Sequence, residues 1–294
     1  MPPLLQRYPL RSFLLLAFGL SWLCWLPIID RISSNPFKSE PDVLVRLLLG
    51  GYGPSVAALI LIAATGGRRA MRRLFERFRL RGSGRVGHAV ALGWSPVLMS
   101  LSVFVFVARG GEVGYVHWPA LAWVPIIFAA VSIFGPLGEE LGWRGFLLPR
   151  LLERSGPIGA SLSVGLAWTF WHAPLMMAAA GTSISGQALT VSNVLAYLVS
   201  VTASSVLFTW IHLRTRGNLF ASILAHMSLN GTSVAVGFLL PHLEPAQTHA
   251  LWLINVALLS VVALTLMLRW RITGETGAVG ETGKQLGPGP GNVN

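Results

Sequence analysis

Gly138-Glu139-Glu140-Leu141-Gly142-Trp143-Arg144-Gly145 sets two adjacent carboxylates and an arginine at the end of a strongly apolar run. Elsewhere the chain avoids charge. Of its 294 residues 11% are charged and 53% hydrophobic, and the mean hydropathy is +0.63. A charged side chain at the centre of a bilayer costs about 2.5–3.5 kcal/mol even on the lenient insertion scale, so an ionisable group retained there is functional by default. On a helix, residues four apart share a face and adjacent ones do not. Glu140 is therefore expected to pair with Arg144, and Glu139 to point elsewhere with Trp143 on its face. Gly135-Pro136 just upstream should break the helix. A new turn starting at Pro136 brings the positive end of its backbone dipole near Glu139.

Working outward, apolar runs long enough to approach the roughly 20 residues of a membrane span recur along the whole chain. Eight are read: 12–29, 43–65, 86–108, 119–134, 157–180, 188–212, 218–240 and 251–270. The expected fold is an all-α polytopic bundle of about eight transmembrane helices forming one domain over 1–272. The first run follows Arg7 and Arg11 as a signal peptide would. It lacks a small-residue cleavage site, because Pro27-Ile28-Ile29-Asp30 is bulky, and it is read as a retained anchor. The Gly- and Pro-rich tail, 273–294, cannot bury enough apolar surface to fold and is expected to be disordered.

The net charge of +11 would suggest nucleic acid for a soluble chain, but here the arginines fall in alternate loops. Arg68 to Arg85 follow the second run, Arg144, Arg150 and Arg154 the fourth, Arg214 and Arg216 the sixth, and Arg269 and Arg271 end the eighth. Residues 181–187 carry no charge, and 241–250 carry only Glu244. Positive residues are retained in the cytoplasm, so both termini are expected there and no nucleic-acid partner is expected. In a bacterium the location would be the plasma membrane. Segment 67–81 interleaves arginines with Met71, Leu74, Phe75, Phe78 and Leu80, which suits an amphipathic helix on anionic lipid headgroups. Cys24 is the only cysteine, so an intrachain disulfide is excluded, and it reads as a packing residue.

Two further motifs put polar groups inside apolar runs. In Trp168-Thr169-Phe170-Trp171-His172-Ala173-Pro174, Pro174 should bend the helix beside His172, and Trp168 lies one turn back on the same face. Asn218, Ser222, His226 and Asn230 recur every four residues and make one polar stripe. Stripes of this kind face a bundle interior or a wet cavity, where interhelical hydrogen bonds alone could explain them. A histidine and an asparagine one turn apart are also good donors for an oxyanion. His88, His117, His212, His242 and His249 lie in loops or at span ends and are read as bystanders.

The three motifs together, Glu139-Glu140…Arg144, Trp168…His172 and His226…Asn230, resemble one family over roughly residues 120–240. This is the family of CAAX-type intramembrane endopeptidases, which includes the type II CAAX prenyl proteases and the bacteriocin-processing and self-immunity proteins. Trp168 stands where phenylalanine is common, which keeps an aromatic wall. The resemblance implies a peptidase acting on a peptide or protein substrate, with a site open to the cytoplasm. Glu139, helped by His172, would activate a water, and His226 and Asn230 would hold the oxyanion. Glu140, Arg144 and Trp168 would support the site. Glu139, His172 and His226 also match the three-ligand set of catalytic zinc sites, although His-Glu-x-x-His is absent. The expectation leans to no obligatory metal.

Two other readings compete. One is a non-catalytic immunity or scaffold protein binding a peptide in the same cavity. The other is a transporter with a proton-relay glutamate, which the lack of matching interrupted helices in two halves disfavours. Depth poses a difficulty for the catalytic reading. Glu139 is expected near the cytoplasmic end of the fourth run, whereas His172 lies about 22 Å along a helix begun at Pro157. The two meet only if the fifth helix starts in the cytoplasm and enters the lipid near Val164.

Overall fold

The structure is a computed structural model that describes residues 7–33, 39–80, 84–178 and 188–274. Every regular element among them is helical. Six helical stretches are long and apolar enough to cross a membrane. A seventh is added if Pro41–Gly51 and Gly53–Glu76, bent by 44°, form one broken span. The chain is therefore a multi-pass membrane helix bundle. Of the eight runs of the sequence, 119–134 and most of 157–180 fall in one helical stretch, Trp118–Trp171, which is broken at Gly156. The tail beyond Gly274 and the uncharged residues 181–187 lie outside the described residues.

The chain opens with α1 (Pro9–Trp25), α2 (Pro41–Gly51) and α3 (Gly53–Glu76). Gly67, at φ 57° and ψ −155°, breaks α3 where the apolar sequence gives way to arginines. Helix α4 (Arg85–Ala108) leads through a 3-10 turn to α5 (Val124–Phe134). The site follows: α6 (Pro136–Glu140), a π-helical segment over Leu141–Leu147, and α7 (Leu148–Trp171). One turn, α8 (Ala173–Met176), precedes α9 (Val191–Arg214), α10 (Leu219–Leu239) and α11 (Pro245–Thr273). Side-chain caps set several helix starts, because the first N–H groups of a helix lack internal partners. Thr190 accepts from Asn193 N at α9, Asn218 from Ala221 N at α10, and Glu244 forms a capping box with Gln247 at α11.

Indole N–H groups tie the helices together in a setting where apolar contact alone gives little direction. Trp171 donates to Ser21 Oγ (2.7 Å), which donates to Gly50 O (2.6 Å), linking α7, α1 and α2. Trp94 of α4 donates to Ala225 O of α10 (3.0 Å). Small residues let α6 and the π segment press onto the junction of α2 and α3. A Cβ at Gly138 would meet Gly51 O at 2.6 Å, and one at Gly142 would meet Pro54 at 2.6 Å. This backbone contact holds the two glutamates in the bundle interior.

One break bears on the depth difficulty. Helical structure does not stop at Glu139 but continues through the π segment and into α7 as far as Gly156. There the chain turns at φ 62°, a left-handed conformation that favours glycine, followed by Pro157. The far limb of α7 runs back, and Trp168 reaches Glu139 from 29 positions away. Glu139 therefore lies well inside the bundle rather than at the end of a span.

Candidate active site

Glu139, Glu140, Arg144, Trp168 and His226 are all 4% exposed or less, and His172 is 9% exposed. Glu139 and Glu140 split as helical spacing requires. Glu139 Oε2 accepts two indole N–H groups, from Trp168 (2.6 Å) and Trp143 (3.2 Å). Its other oxygen, Oε1, is left facing His226 Nε2 at 4.0 Å. Trp168 is thus more than an aromatic wall: it donates directly to Glu139, which a phenylalanine cannot do.

Glu140 has a wider role than its expected pairing. Its Oε1 accepts from Arg144 (2.9 Å), and it also accepts from His226 Nδ1 (2.9 Å), which lies 86 positions away. Arg144 is fully buried, with its guanidinium 4.8 Å from the ring centres of both Trp168 and Phe208. Cation–π contact of this kind compensates partly for desolvation. The edge-on packing of His226 and Trp168, with ring centres 5.0 Å apart, completes the cluster.

Asn230 lies one turn beyond His226 on α10. A methyl group in place of the Gly135 hydrogen would lie 2.9 Å from Asn230 Nδ2, 3.5 Å from Glu139 Oε1 and 4.0 Å from His226 Nε2. Three polar atoms thus converge on the space over Gly135. His172 Nδ1 bonds to Trp168 O (2.9 Å), which leaves Nε2 as its open ring nitrogen. Its ring packs against Trp25, Trp171 and Tyr197. Glu139, His172, His226 and Asn230 line one cavity of about 470 Å³. Only half of the polar stripe takes part. Asn218 caps α10 and donates to Arg79 O, and Ser222 is buried behind it.

Sequence reasoning missed three features here. Gly135 was read only as a helix break, and its missing side chain is what leaves the space open. Glu140 was assigned to Arg144 alone. Trp25 and Tyr197, which line the cavity, carried no signal in their own neighbourhoods. His212, read as a bystander, is buried beside Arg77 and Gly217 and does not line the cavity.

Among the described residues no group of three or more His, Cys, Asp or Glu side chains is arranged to hold a metal ion. Glu139 Oε2 is occupied by two indoles and His226 Nδ1 by Glu140. The remaining pair, Glu139 Oε1 and His226 Nε2, is 4.0 Å apart, whereas two ligands on one tetrahedral zinc sit about 3.3 Å apart. Glu139, His172 and His226 do not fit a zinc ligand set as they stand.

Residues 121–232, which contain every site residue named above except Trp25, match the family described as "Type II CAAX prenyl endopeptidase Rce1-like". Over that part of its length the chain is homologous to the CAAX-type intramembrane proteases. A "CAAX prenyl protease 2" of Methanococcus maripaludis is 22% identical over 230 residues, which cover 76% of this chain and 83% of the relative.

Proposed function

We propose that the chain is an intramembrane endopeptidase that hydrolyses a peptide bond in a membrane-associated substrate. The observation that carries this reading is the convergence of Glu139 Oε1, His226 Nε2 and Asn230 Nδ2 on the space over Gly135. That is one acceptor and two nitrogen groups around a volume suited to a water or an oxyanion. The homology over 121–232 supports it.

On this reading a water bound over Gly135 gives a proton to Glu139 Oε1, while His172 Nε2 steadies it. The hydroxide attacks the substrate carbonyl, and a C–O bond forms. The oxyanion accepts hydrogen bonds from Asn230 Nδ2 and His226 Nε2. His226 already donates from Nδ1 to Glu140, so donation from Nε2 as well requires both ring nitrogens to carry protons. The Glu140 carboxylate supplies the counter-charge and fixes the ring, as the orienting carboxylate of a triad does. The C–N bond then breaks, and Glu139 returns its proton to the leaving amine.

The test compares membrane proteomes of cells carrying the wild-type chain and Glu139→Gln. Cleavage products should vanish in the variant while its abundance in the membrane is unchanged. Products that persist at the wild-type level would sink the assignment and favour a non-catalytic peptide-binding protein. Asn230→Ala should lower turnover of the same substrates by about 10²–10³-fold.

A further inference from the structure

Serine and threonine hydroxyls inside a helix can bond back to the carbonyl one turn earlier. In this bundle Ser102, Ser132, Ser161, Ser233 and Ser260 all do so, at 2.6–3.0 Å. On α9, Thr209 donates to Ser205 O (2.8 Å), and Ser205 donates to Ser161 O of α7 (2.9 Å). Another face of α9 behaves differently. Ser204 is 1% exposed, and its hydroxyl has no hydrogen-bond partner among the described residues. Tyr197 and Ser200 likewise spend no hydroxyl bond on any described residue. At positions 197, 200 and 204 the three share one helix face, and all three line the site cavity. Thr202, also unpartnered, is turned away to α7, where a Cβ at Gly165 would lie 3.0 Å from its hydroxyl.

This hydroxyl stripe runs beside the site. Tyr197 packs edge-on against the His172 ring at 5.9 Å. Phe208, one turn beyond Ser204, meets the His226 ring at 6.0 Å. From Tyr197 to Ser204 the helix rises about 10 Å, the length of about three residues of extended chain. Much of the remaining lining is apolar, as at Trp25, Leu47, Leu175 and Trp252. Ser233 and Asn255 also line the cavity but are bonded within the protein, to Leu229 O (3.0 Å) and Ser102 Oγ (3.1 Å). A peptide entering such a cavity brings main-chain N–H and C=O groups, which are costly to bury unpaired.

We infer that Tyr197, Ser200 and Ser204 form a main-chain-binding subsite. Their hydroxyls pair with the N–H and C=O groups of an extended peptide segment lying between His172 and His226, while the apolar walls take its side chains. The ligand class is an extended segment with apolar side chains, held through its amides rather than through any one side chain. That this segment is the substrate rests on the peptidase reading; that it binds along α9 rests on the unspent hydroxyls and their place in the cavity.

Binding of a generic probe tests it, because main-chain recognition needs no particular side chain. The blocked peptide acetyl-Leu-Ala-Phe-Ala-Leu-amide is titrated calorimetrically onto the full chain in nanodiscs, as wild type and as Glu139→Gln, with empty discs as the blank. Tyr197→Phe, Ser200→Ala and Ser204→Ala, made singly, should each weaken binding by about 5- to 30-fold, while Thr202→Ala leaves it unchanged. Ester analogues, each with one amide replaced, should weaken binding to the wild type by a similar factor. At least one of them should bind the matching hydroxyl-less variant no worse than the parent peptide does. No bond of the fold is lost in Ser204→Ala, so it should melt no lower than wild type, and the other two variants keep the test decisive if it fails to fold. Retention no greater than in empty discs overturns the inference, as does wild-type affinity in all three variants. An equal loss in Thr202→Ala also overturns it, because loosening of α9 would then be the cause. So do ester and hydroxyl effects that simply multiply at every position. The titration needs no turnover, so a failed Glu139→Gln cleavage test would leave its result intact.

Discussion

At the residue scale, two hydrogen-bond partners of the central carboxylates came from very different distances in the chain. The Glu140–Arg144 pair was legible because residues four apart on a helix meet. The Glu140–His226 bond, spanning 86 positions, and the Trp168–Glu139 bond were not, since only the packing of α7 and α10 against α6 creates them. The second bond predicts a specific defect. Trp168→Phe keeps the ring under Arg144 and beside His226 but removes the N–H that fixes Glu139. A hydrogen bond to a charged group contributes about 1.5–3 kcal/mol, so kcat should fall about 10- to 100-fold with KM nearly unchanged, read by steady-state kinetics in proteoliposomes. An unaltered kcat would mean that Trp143 alone orients Glu139. Gly135→Ala tests the space itself. Its methyl, 2.9 Å from Asn230 Nδ2, would displace the water, and turnover should fall at least as far as in Asn230→Ala while thermal stability is retained. Because the ligand set for zinc is incomplete, o-phenanthroline should leave turnover unchanged.

At the element scale, the apolar runs and their caps were readable, whereas the π segment was not. Leu141–Leu147 has no composition that distinguishes it from an α-helical turn, and π-helical segments are rare and often found at functional sites. Within it, Gly142 packs against Pro54 of α3. The break at Gly156 was half visible in Pro157, which the sequence reading took as a helix start. What it lacked was the reversal that returns Trp168 to Glu139. Arg77 is the clamp on this arrangement. Its guanidinium holds the carbonyls of Arg144 and Gly145 at the π segment and of Gly217 before α10. Burial, with Arg150 nearby, pushes it down to about 10, so it remains charged at neutral pH. Arg77→Ala should lower stability by about 3 kcal/mol, since several bonds to a charged donor are lost together. Thermal inactivation in detergent would show this as a clear fall in midpoint, with partial recovery in Arg77→Lys. A midpoint equal to wild type would show that the three segments hold their positions without it.

At the scale of the whole molecule, charge asymmetry was the most legible property of the sequence, and it has consequences beyond topology. The segment after Gly67 was expected to lie on headgroups as an amphipathic helix. It is helical, but its apolar side is divided. Leu74 is buried, and a Cβ at Gly145 would lie 3.2 Å from it, whereas Phe75 is 52% exposed. Arg68, Arg69, Arg72 and Arg73 are all exposed. The segment is therefore docked on the bundle by Leu74 and Arg77, with Met71 and Phe78 packed against the core, and presents four arginines outward. Each basic residue near an anionic surface contributes about 1 kcal/mol of attraction. The chain should accordingly be more heat-stable in nanodiscs containing anionic lipid than in purely zwitterionic ones, and the difference should shrink as salt shortens the screening length. Replacing the four arginines with glutamine should abolish the lipid dependence while leaving stability in zwitterionic discs unchanged, because none of the four packs in the core. A variant that loses stability equally in both lipids would show instead that these arginines serve the fold.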